Sequence, residues 1–325
     1  MPKVSVIMPT YNRANFIGEA IRSVLIQDLK DWELIIIDDG SIDDTKQIVK
    51  TNKDPRIRYI YQKNKGRSAA RNKAIAMAKG EYLAFLDSDD LFLAGKLKKQ
   101  VEFLDKNKDF GMVYTSAYNI DEKGKILDFV YRATQSGHIY KDVAFLLPVV
   151  IALPTVMARK ENIRSLHGFD QKMDRFEDTD MWRRMAQKYR IYAMKEPLTK
   201  IRMHPGNQME HPQKFFTALN YYVEKIFRED EELEWSYKRR LAAVFYRHYY
   251  FALRKNPQWR HYSSLFLKRS LVYWPLWPIF YLFYLTFSYL VSLFSYFIYQ
   301  LIKLIFPKAS TRRRIRFFFK TNKPF

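Results

Sequence analysis

Short apolar runs alternate with amphipathic ones over the first 90 residues of the chain. Val4–Met8 (VSVIM) is β-branched and bounded by prolines, the pattern of a buried strand. After the polar PTYNRAN, Phe16–Gln27 sets Ile17, Ala20, Ile21, Val24 and Leu25 on one face of a helical period. The pattern then repeats. Trp32–Asp38 predicts a strand and Thr45–Asn52 a helix; Arg56–Gln62 predicts a third strand and Ala69–Gly80 a third helix, with Gly80 at its C-cap position. Glu81–Leu86 predicts a fourth strand. Such alternation implies an α/β fold, a parallel sheet with helices on both faces joined by right-handed crossovers.

Ligands in these sheets bind beyond the carboxyl ends of the strands. Those ends carry Thr10, Tyr11 and Asn12, then Asp38 and Asp39, then Asn64 and Arg67, then Asp87 to Asp90. The last cluster closes the run GEYLAFLDSDDLF with three carboxylates in four positions, which repel one another unless a cation sits among them. Helix capping offers a simpler reading: Asn12 or Asn15 caps the first helix, DDGS makes a turn, and Asp90 caps the helix containing KLKKQVEFL. Capping does not require both Asp87 and Asp89, nor acids that alternate with Arg67 and Arg71. A site for a metal and a diphosphate does, and oxygen ligands suit magnesium or manganese. The chain has no G-x-G-x-x-G and no Walker A sequence, so nucleotide binding would rest on carboxylates and metal.

Composition narrows the classes. With 325 residues, 48% hydrophobic, the chain can bury a full core, and the absence of cysteine removes disulfides and thiolate metal sites. The net charge of +22 suggests a nucleic-acid binder until its distribution is considered. No Asp or Glu follows Glu234, and residues 235–325 hold 17 Lys and Arg, so the first 234 residues carry 39 basic against 34 acidic side chains. The excess belongs to the tail. Leu271–Ile302 is 32 residues without a charge, flanked by Lys268 and Arg269 before and by Lys303, Lys308 and Arg312–Arg316 after. It fits one tilted membrane span or a hairpin broken near Pro275 and Pro278, and positive flanks on both sides favour two ends at one anionic leaflet. Phe215–Phe227 and Lys238–Lys255 read as amphipathic helices rich in Tyr, Phe and Arg, fit for helix packing or for a membrane surface, and the apolar run that follows directly favours the membrane surface. MPKVSVIMPTYNR has too short an apolar run for a signal peptide, which places the catalytic part at the cytoplasmic face.

The segments VSVIMPTYNR, LIIIDDGSIDDT, NKGRSAARNKAI, GEYLAFLDSDD, GFDQKMDRFEDTDMWRR and IRMHPGN occur in the order found in family 2 glycosyltransferases, and residues 3–210 resemble that family. The resemblance implies a GT-A nucleotide-sugar fold, Rossmann-like with a mostly parallel sheet, and an inverting enzyme that needs Mn2+ or Mg2+ and a nucleotide-sugar donor, UDP-linked by expectation. Carried over residue by residue, Pro9, Thr10, Tyr11 and Asn12 match the loop along base and ribose. Asp39, with Asp38 beside it and Arg71 nearby, matches the base contact. Arg67 and Ser88 join the nucleotide-sugar set. Asp87 and Asp89 match the D-x-D pair, Asp87 toward the ribose and Asp89 toward the metal, with His204 holding metal or diphosphate. Asp178 matches the catalytic base, Glu177 positions sugar or acceptor, and Asp180 starts the following helix, where an acid favours the dipole.

The absence of Q-x-x-R-W after Asp178, for which QWR at Gln258–Arg260 has the wrong spacing, points to one sugar per binding event rather than polymerisation. The resemblance divides the chain into a catalytic domain (1–215), an amphipathic basic helical region (216–270), a hydrophobic membrane segment (271–306) and a basic tail (307–325). The expected acceptor is a lipid-linked saccharide or cell-surface glycan precursor, met at an anionic membrane surface, and no nucleic acid is expected. Two alternatives stay open: a polyprenyl-phosphate glycosyltransferase, whose acceptor is the lipid phosphate, and a nucleic-acid-binding protein that uses the basic, aromatic tail.

Overall fold

The computed structural model describes residues 1–145, 149–204 and 211–275. The chain opens with β1 (Val4–Thr10), α1 (Ala14–Leu25), β2 (Trp32–Asp38), α2 (Thr45–Thr51), β3 (Ile57–Tyr61), α3 (Arg67–Met77) and β4 (Tyr82–Phe85). Then follow β5 (Leu91–Phe92), α4 (Lys96–Lys106), β6 (Phe110–Ile120), β7 (Ile126–Tyr131), α5 (Tyr140–Val143), β8 (Val156–Arg159) and α6 (Lys160–Ser165). Last come α7 (Glu177–Lys188), β9 (Arg190–Arg202), α8 (Pro212–Glu229), α9 (Trp235–Leu253) and α10 (Arg260–Tyr273). The strands form one nine-stranded sheet in the order β3-β2-β1-β4-β8-β6-β9-β5, with β7 beside β6.

β1 to β4 pair in parallel, as the alternation predicts. Beyond β4 the sheet is mixed, which corrects the expectation of a parallel sheet throughout. β8 runs antiparallel to β4 and β6, β7 antiparallel to β6 and β5 antiparallel to β9, while β9 is parallel to β6. Connection length explains the β6–β7 pair: residues 121–125 close a tight turn, Asp121 N–H donating to Lys125 O at 2.9 Å, whereas a parallel pair needs a crossover of a dozen residues or so.

Strand residues are buried on both faces, hence the unbroken LIII of β2. On one face Val4, Val6, Met8, Leu34 and Ile36 pack against Ile17, Ile21 and Val24 of α1. On the other, Ile7, Ile35, Ile37 and Phe85 meet Ala70 and Ala74 of α3 and Met181, Trp182 and Met185 of α7. That second cluster continues without a break into Phe215, Leu219 and Tyr222 of α8 and Phe245 and Tyr246 of α9. The apolar sides of both late helices therefore complete the core over the sheet. The apolar run expected from Leu271 lies, beyond Pro275, outside the described residues, as does the basic tail. Among the described residues no helix is long and apolar enough to cross a membrane.

The capping expectations fail for local reasons. α1 begins at Ala14, whose N–H donates to Asp43 Oδ2 at 3.0 Å, so a neighbouring loop supplies the acceptor rather than Asn12 or Asn15. α4 begins after Gly95 in a left-handed conformation, five residues past Asp90. α3 ends at Met77 with Ala78 extended, so Gly80 is no C-cap. A Cβ at Gly80 would lie 2.5 Å from Ser5 N and 2.7 Å from Val4 C, so what this position requires is close passage against β1.

Gly80→Ala is expected to lower stability by about 1–3 kcal/mol, because both clashing atoms are backbone and cannot swing aside. Urea unfolding would show a lower midpoint at unchanged slope. An unchanged midpoint would mean that β1 yields to the extra carbon.

Candidate active site

The loops after β1 and β2 are laced together. Asn12 adopts a left-handed φ of 51°, which asparagine tolerates, and this turn lets its N–H donate to Ser41 Oγ at 2.9 Å while its Oδ1 accepts from Ile42 N at 2.9 Å. Pro9 and Thr10 are buried in β1 opposite Ile37 and Asp38, and Tyr11 is 46% exposed at the rim. Asp38 is fully buried and accepts from Ser41 N–H at 2.8 Å and Tyr59 O–H at 2.6 Å. Asp39 accepts from Gln62 Nε2, Lys65 N–H and Gly66 N–H at 2.7, 2.9 and 2.8 Å. Both acids thus shape the rim by holding the loops after β2 and β3.

A single guanidinium joins two distant motifs. Arg71 on α3, 3% exposed, donates from Nη1 to Glu177 Oε1 at 2.7 Å and from Nη2 to Asp87 Oδ1 at 3.0 Å. Burial alone would favour losing its charge, but Asp87 and Glu177 outweigh burial and hold it firmly cationic. Arg67, one helical turn earlier and more exposed, has its Nε 3.7 Å from the same Glu177 oxygen.

The second carboxylate of the D-x-D faces the other way. Asp89 Oδ2 lies 2.9 Å from His204 Nε2 and 3.3 Å from Arg13 Nε. His204 is fixed by its ring against Phe16, 5.1 Å between centroids. β5 pairs with β9, Leu91 opposite Lys200, which carries the end of β9 to the acidic turn. There Arg202 N–H donates to Asp90 Oδ1 at 2.8 Å and Arg202 Nε to Asp89 O at 2.9 Å. Burial, with the charges of Asp89 and Asp87, pushes the Asp90 carboxyl well above its usual range. Ser88 is buried between the two acids. Asp89 and His204 make a pair of metal-capable donors, and groups of three or more His, Cys, Asp or Glu fit to hold a metal are absent among the described residues.

α7 begins at Glu177, three residues before Asp180, so Asp180 does not start it. Its carboxylate is instead the centre of a buried lock: although burial opposes ionisation, Arg184, Arg183 and Lys225 hold it below the usual carboxylate range. The contacts are 2.8, 3.0 and 3.0 Å. Lys225 comes from α8 and also reaches Asp170 Oδ2 at 2.6 Å. Asp178 is half-buried in the first turn of α7. Burial pushes its carboxyl up to about 6, aided by the charge of Glu177 and opposed by Arg71.

The structure thus gathers Asp87, Arg71, Arg67 and Glu177, with Asp178 next in the chain, into one group and Asp89, Arg13 and His204 into another, while Asp38 and Asp39 hold the loops after β2 and β3. Sequence reasoning missed Arg13, Arg202 and Tyr131. Arg13 and Arg202 stand inside the quoted segments VSVIMPTYNR and IRMHPGN, so the motifs pointed at them. Tyr131 had no such signal; burial raises its phenol, and the charges of Asp90 and Asp178 raise it further.

An aspartic acid that ionises near 6 when folded and near 3.8 when unfolded binds more protons in the folded state between those values, so stability falls as pH rises through that window. Asp178→Asn is expected to stabilise the chain at pH 7.5 by roughly 1–2 kcal/mol, discounted for partial exposure, with the gain vanishing near pH 4. Thermal melts of both forms across that range check it; a gain independent of pH would show that charge is not its origin.

Comparison with known proteins fits this arrangement. The family model for glycosyl transferase family 2 matches residues 5–161. A glycosyltransferase of Rickettsia conorii is 41% identical over 223 residues, 67% of this chain but 36% of that protein, so the chain spans about a third of the length of such relatives. TuaG of Bacillus subtilis, a glycosyltransferase named for teichuronic acid biosynthesis, is 35% identical over 236 residues, 71% of this chain and 90% of TuaG. Among solved structures, S. aureus TarS 1-349 in complex with UDP-GlcNAc superposes with a TM-score of 0.61 at 22% identity, covering 78% of this chain and 74% of TarS 1-349. The mannosyltransferase PcManGT from Pyrobaculum calidifontis, in complex with GDP-Man and Mn2+, gives 0.56 at 18% identity, covering 83% and 86%. With this fold, these strand-end motifs and a relative, TuaG, 35% identical and matched over 90% of its length, the chain belongs to glycosyl transferase family 2.

Proposed function

We propose that the chain is an inverting, non-processive glycosyltransferase that moves one sugar from a nucleotide-sugar donor, UDP-linked, to a lipid-linked saccharide or cell-surface glycan precursor. The observation that carries this reading is the Arg71 bridge. It joins the D-x-D acid Asp87 to Glu177, the neighbour of Asp178, through one guanidinium, as a reaction between a bound diphosphate and an incoming hydroxyl requires.

The roles follow from chemistry. Asp178 takes the proton of the acceptor hydroxyl as its oxygen attacks the anomeric carbon; the bond from that carbon to the diphosphate breaks, and the nucleoside diphosphate leaves with the bonding electrons. A carboxyl that ionises near 6 is a stronger base than an ordinary aspartate and is still deprotonated at neutral pH. Asp89 and His204, whose Oδ2 and Nε2 lie 2.9 Å apart beside Arg13, are the oxygen and imidazole donors that would hold a divalent cation such as magnesium or manganese. The cation would neutralise charge developing on the leaving diphosphate. Arg13 and Arg67 add positive charge at the two sides of the cleft.

The acceptor is met at the cytoplasmic face of an anionic membrane through the C-terminal region. Support comes from the 17 basic residues without an acid after Glu234 and from the relative named for teichuronic acid biosynthesis.

The direct test measures nucleoside diphosphate release by the full chain from UDP-glucose, UDP-GlcNAc, UDP-galactose and GDP-mannose with Mn2+ or Mg2+. One donor should be turned over slowly in a metal-dependent way, with at least a hundredfold loss in Asp89→Ala and Asp178→Asn. Turnover that ignores both substitutions would defeat the assignment. Separately, the full chain should float with phosphatidylglycerol vesicles and much less with phosphatidylcholine vesicles, the difference fading in high salt. Equal behaviour with both lipids would remove the anionic surface from the reading.

A further inference from the structure

We infer that Phe176 is a positioning residue for Asp178, held in a left-handed turn by an aromatic socket that the late helices α8 and α9 build. The inference rests on Asp178 being the base of the proposed reaction. Phe176 immediately precedes Glu177 and Asp178 and has φ 63° and ψ 12°. Among the described residues only Asn12, His167 and Phe176 combine a side chain with positive φ. Asparagine visits that region readily, whereas a bulky ring does so only where its surroundings over-determine it.

The surroundings here are four rings. Tyr222 stacks on Phe176 at 5.7 Å between centroids and 19° between planes, and Phe215 lies at 5.4 Å, both from α8. Phe245 and Tyr249 of α9 close the socket at 6.2 and 6.4 Å, edge-on. The socket is itself anchored, because the Tyr222 hydroxyl donates to Ala144 O. One turn further along α7, Lys225 of α8 grips Asp180. The start of α7 is therefore clamped twice by α8, once through a ring and once through a charge.

The turn has a chemical consequence. It bends the chain so that Glu177 reaches Arg71 in the cleft while the ring of its neighbour points the opposite way, into the helices. Asp178 is placed by that bend. Without the ring only the charged contacts of Glu177 and Asp180 hold the start of α7, and the turn at residue 176 loses the packing that favours its left-handed conformation. The socket residues lie between positions 215 and 249, beyond residues 5–161 matched by the family model, so the late helices are part of the catalytic apparatus and set its geometry.

The test compares Phe176→Ala, Phe176→Gly and Phe176→Tyr with wild type and Asp178→Asn, using the donor that wild type turns over. Alanine and glycine variants should lose about tenfold or more in kcat with the donor KM changed less than about twofold, since a small displacement of a reacting group is costly while the donor is held elsewhere. Tyrosine, which keeps the ring, should restore kcat. Hydrogen exchange at the amides of residues 177–180 should accelerate in the alanine and glycine variants, a readout that needs no donor and applies to whichever variant folds. Folded variants with wild-type kcat and unchanged exchange overturn the inference, as does a glycine variant as active as wild type. If Asp178→Asn remains active, the base assignment fails instead, and the exchange rates alone decide whether the socket holds the turn.

Discussion

Arg71 is a cation sealed from water between two carboxylates that stand 90 residues apart in the chain. Such an arrangement is stable only when every partner is present, because removing one acid leaves a buried charge uncompensated, a cost of about 3–5 kcal/mol in comparable cases. The bridge ties α3, the turn after β4 and the start of α7 into one body. The turn carries the first D-x-D acid, and α7 carries the glutamate and the proposed base. Their relative placement is therefore inherited from a buried electrostatic contact rather than from loop conformation.

A second lock works alongside it. Asp180 gathers Arg183, Arg184 and Lys225, and Arg184 extends to the carbonyls of Leu166 and Gly168 at 2.6 and 2.9 Å. The acids at 177 and 180 thus have distinct duties on one helix: Glu177 looks across to Arg71 of α3, and Asp180 looks back to Lys225 of α8. Asp178, between them, is the acid left facing the cleft with a carboxyl that ionises late. The contrast comes from pairing, since Asp180 is surrounded by three cations and Asp178 is opposed mainly by one shared guanidinium.

How much of this could be read from the chain depended on whether the deciding contact was local. β1 to β4 and their helices were legible because period-2 and period-3.6 patterns are properties of consecutive residues. The polar strand ends were legible too, since parallel topology fixes where they converge. The mixed half of the sheet was not, because the direction of β8 and β9 is set by partners rather than by their own pattern. Gly80 looked like a helix stop, whereas its neighbour across space, Ser5, decides its identity. Asp180 looked like a dipole partner because Lys225 lies 45 residues away. The left-handed turn at Phe176 had no signal at all: glycine or asparagine would announce such a turn, and here distant rings enforce it.

The two-residue strand β5 has an effect out of proportion to its length. Its pairing with β9, Leu91 opposite Lys200 and Phe92 opposite Thr199, serves as a ruler between the acidic turn and His204. Successive strand residues face opposite ways, so a slip of one position would exchange the faces of Thr199 and Lys200 and displace His204, two residues past the end of β9, relative to Asp89. The spacing from Asp89 to Phe92, and from Thr199 to His204, is thus a count on which the Asp89–His204 contact depends. The turn at 121–125 shares in that register, because Arg202, which grips Asp89 O and Asp90 Oδ1, also donates from Nη1 to the carbonyls of Asp121 and Glu122.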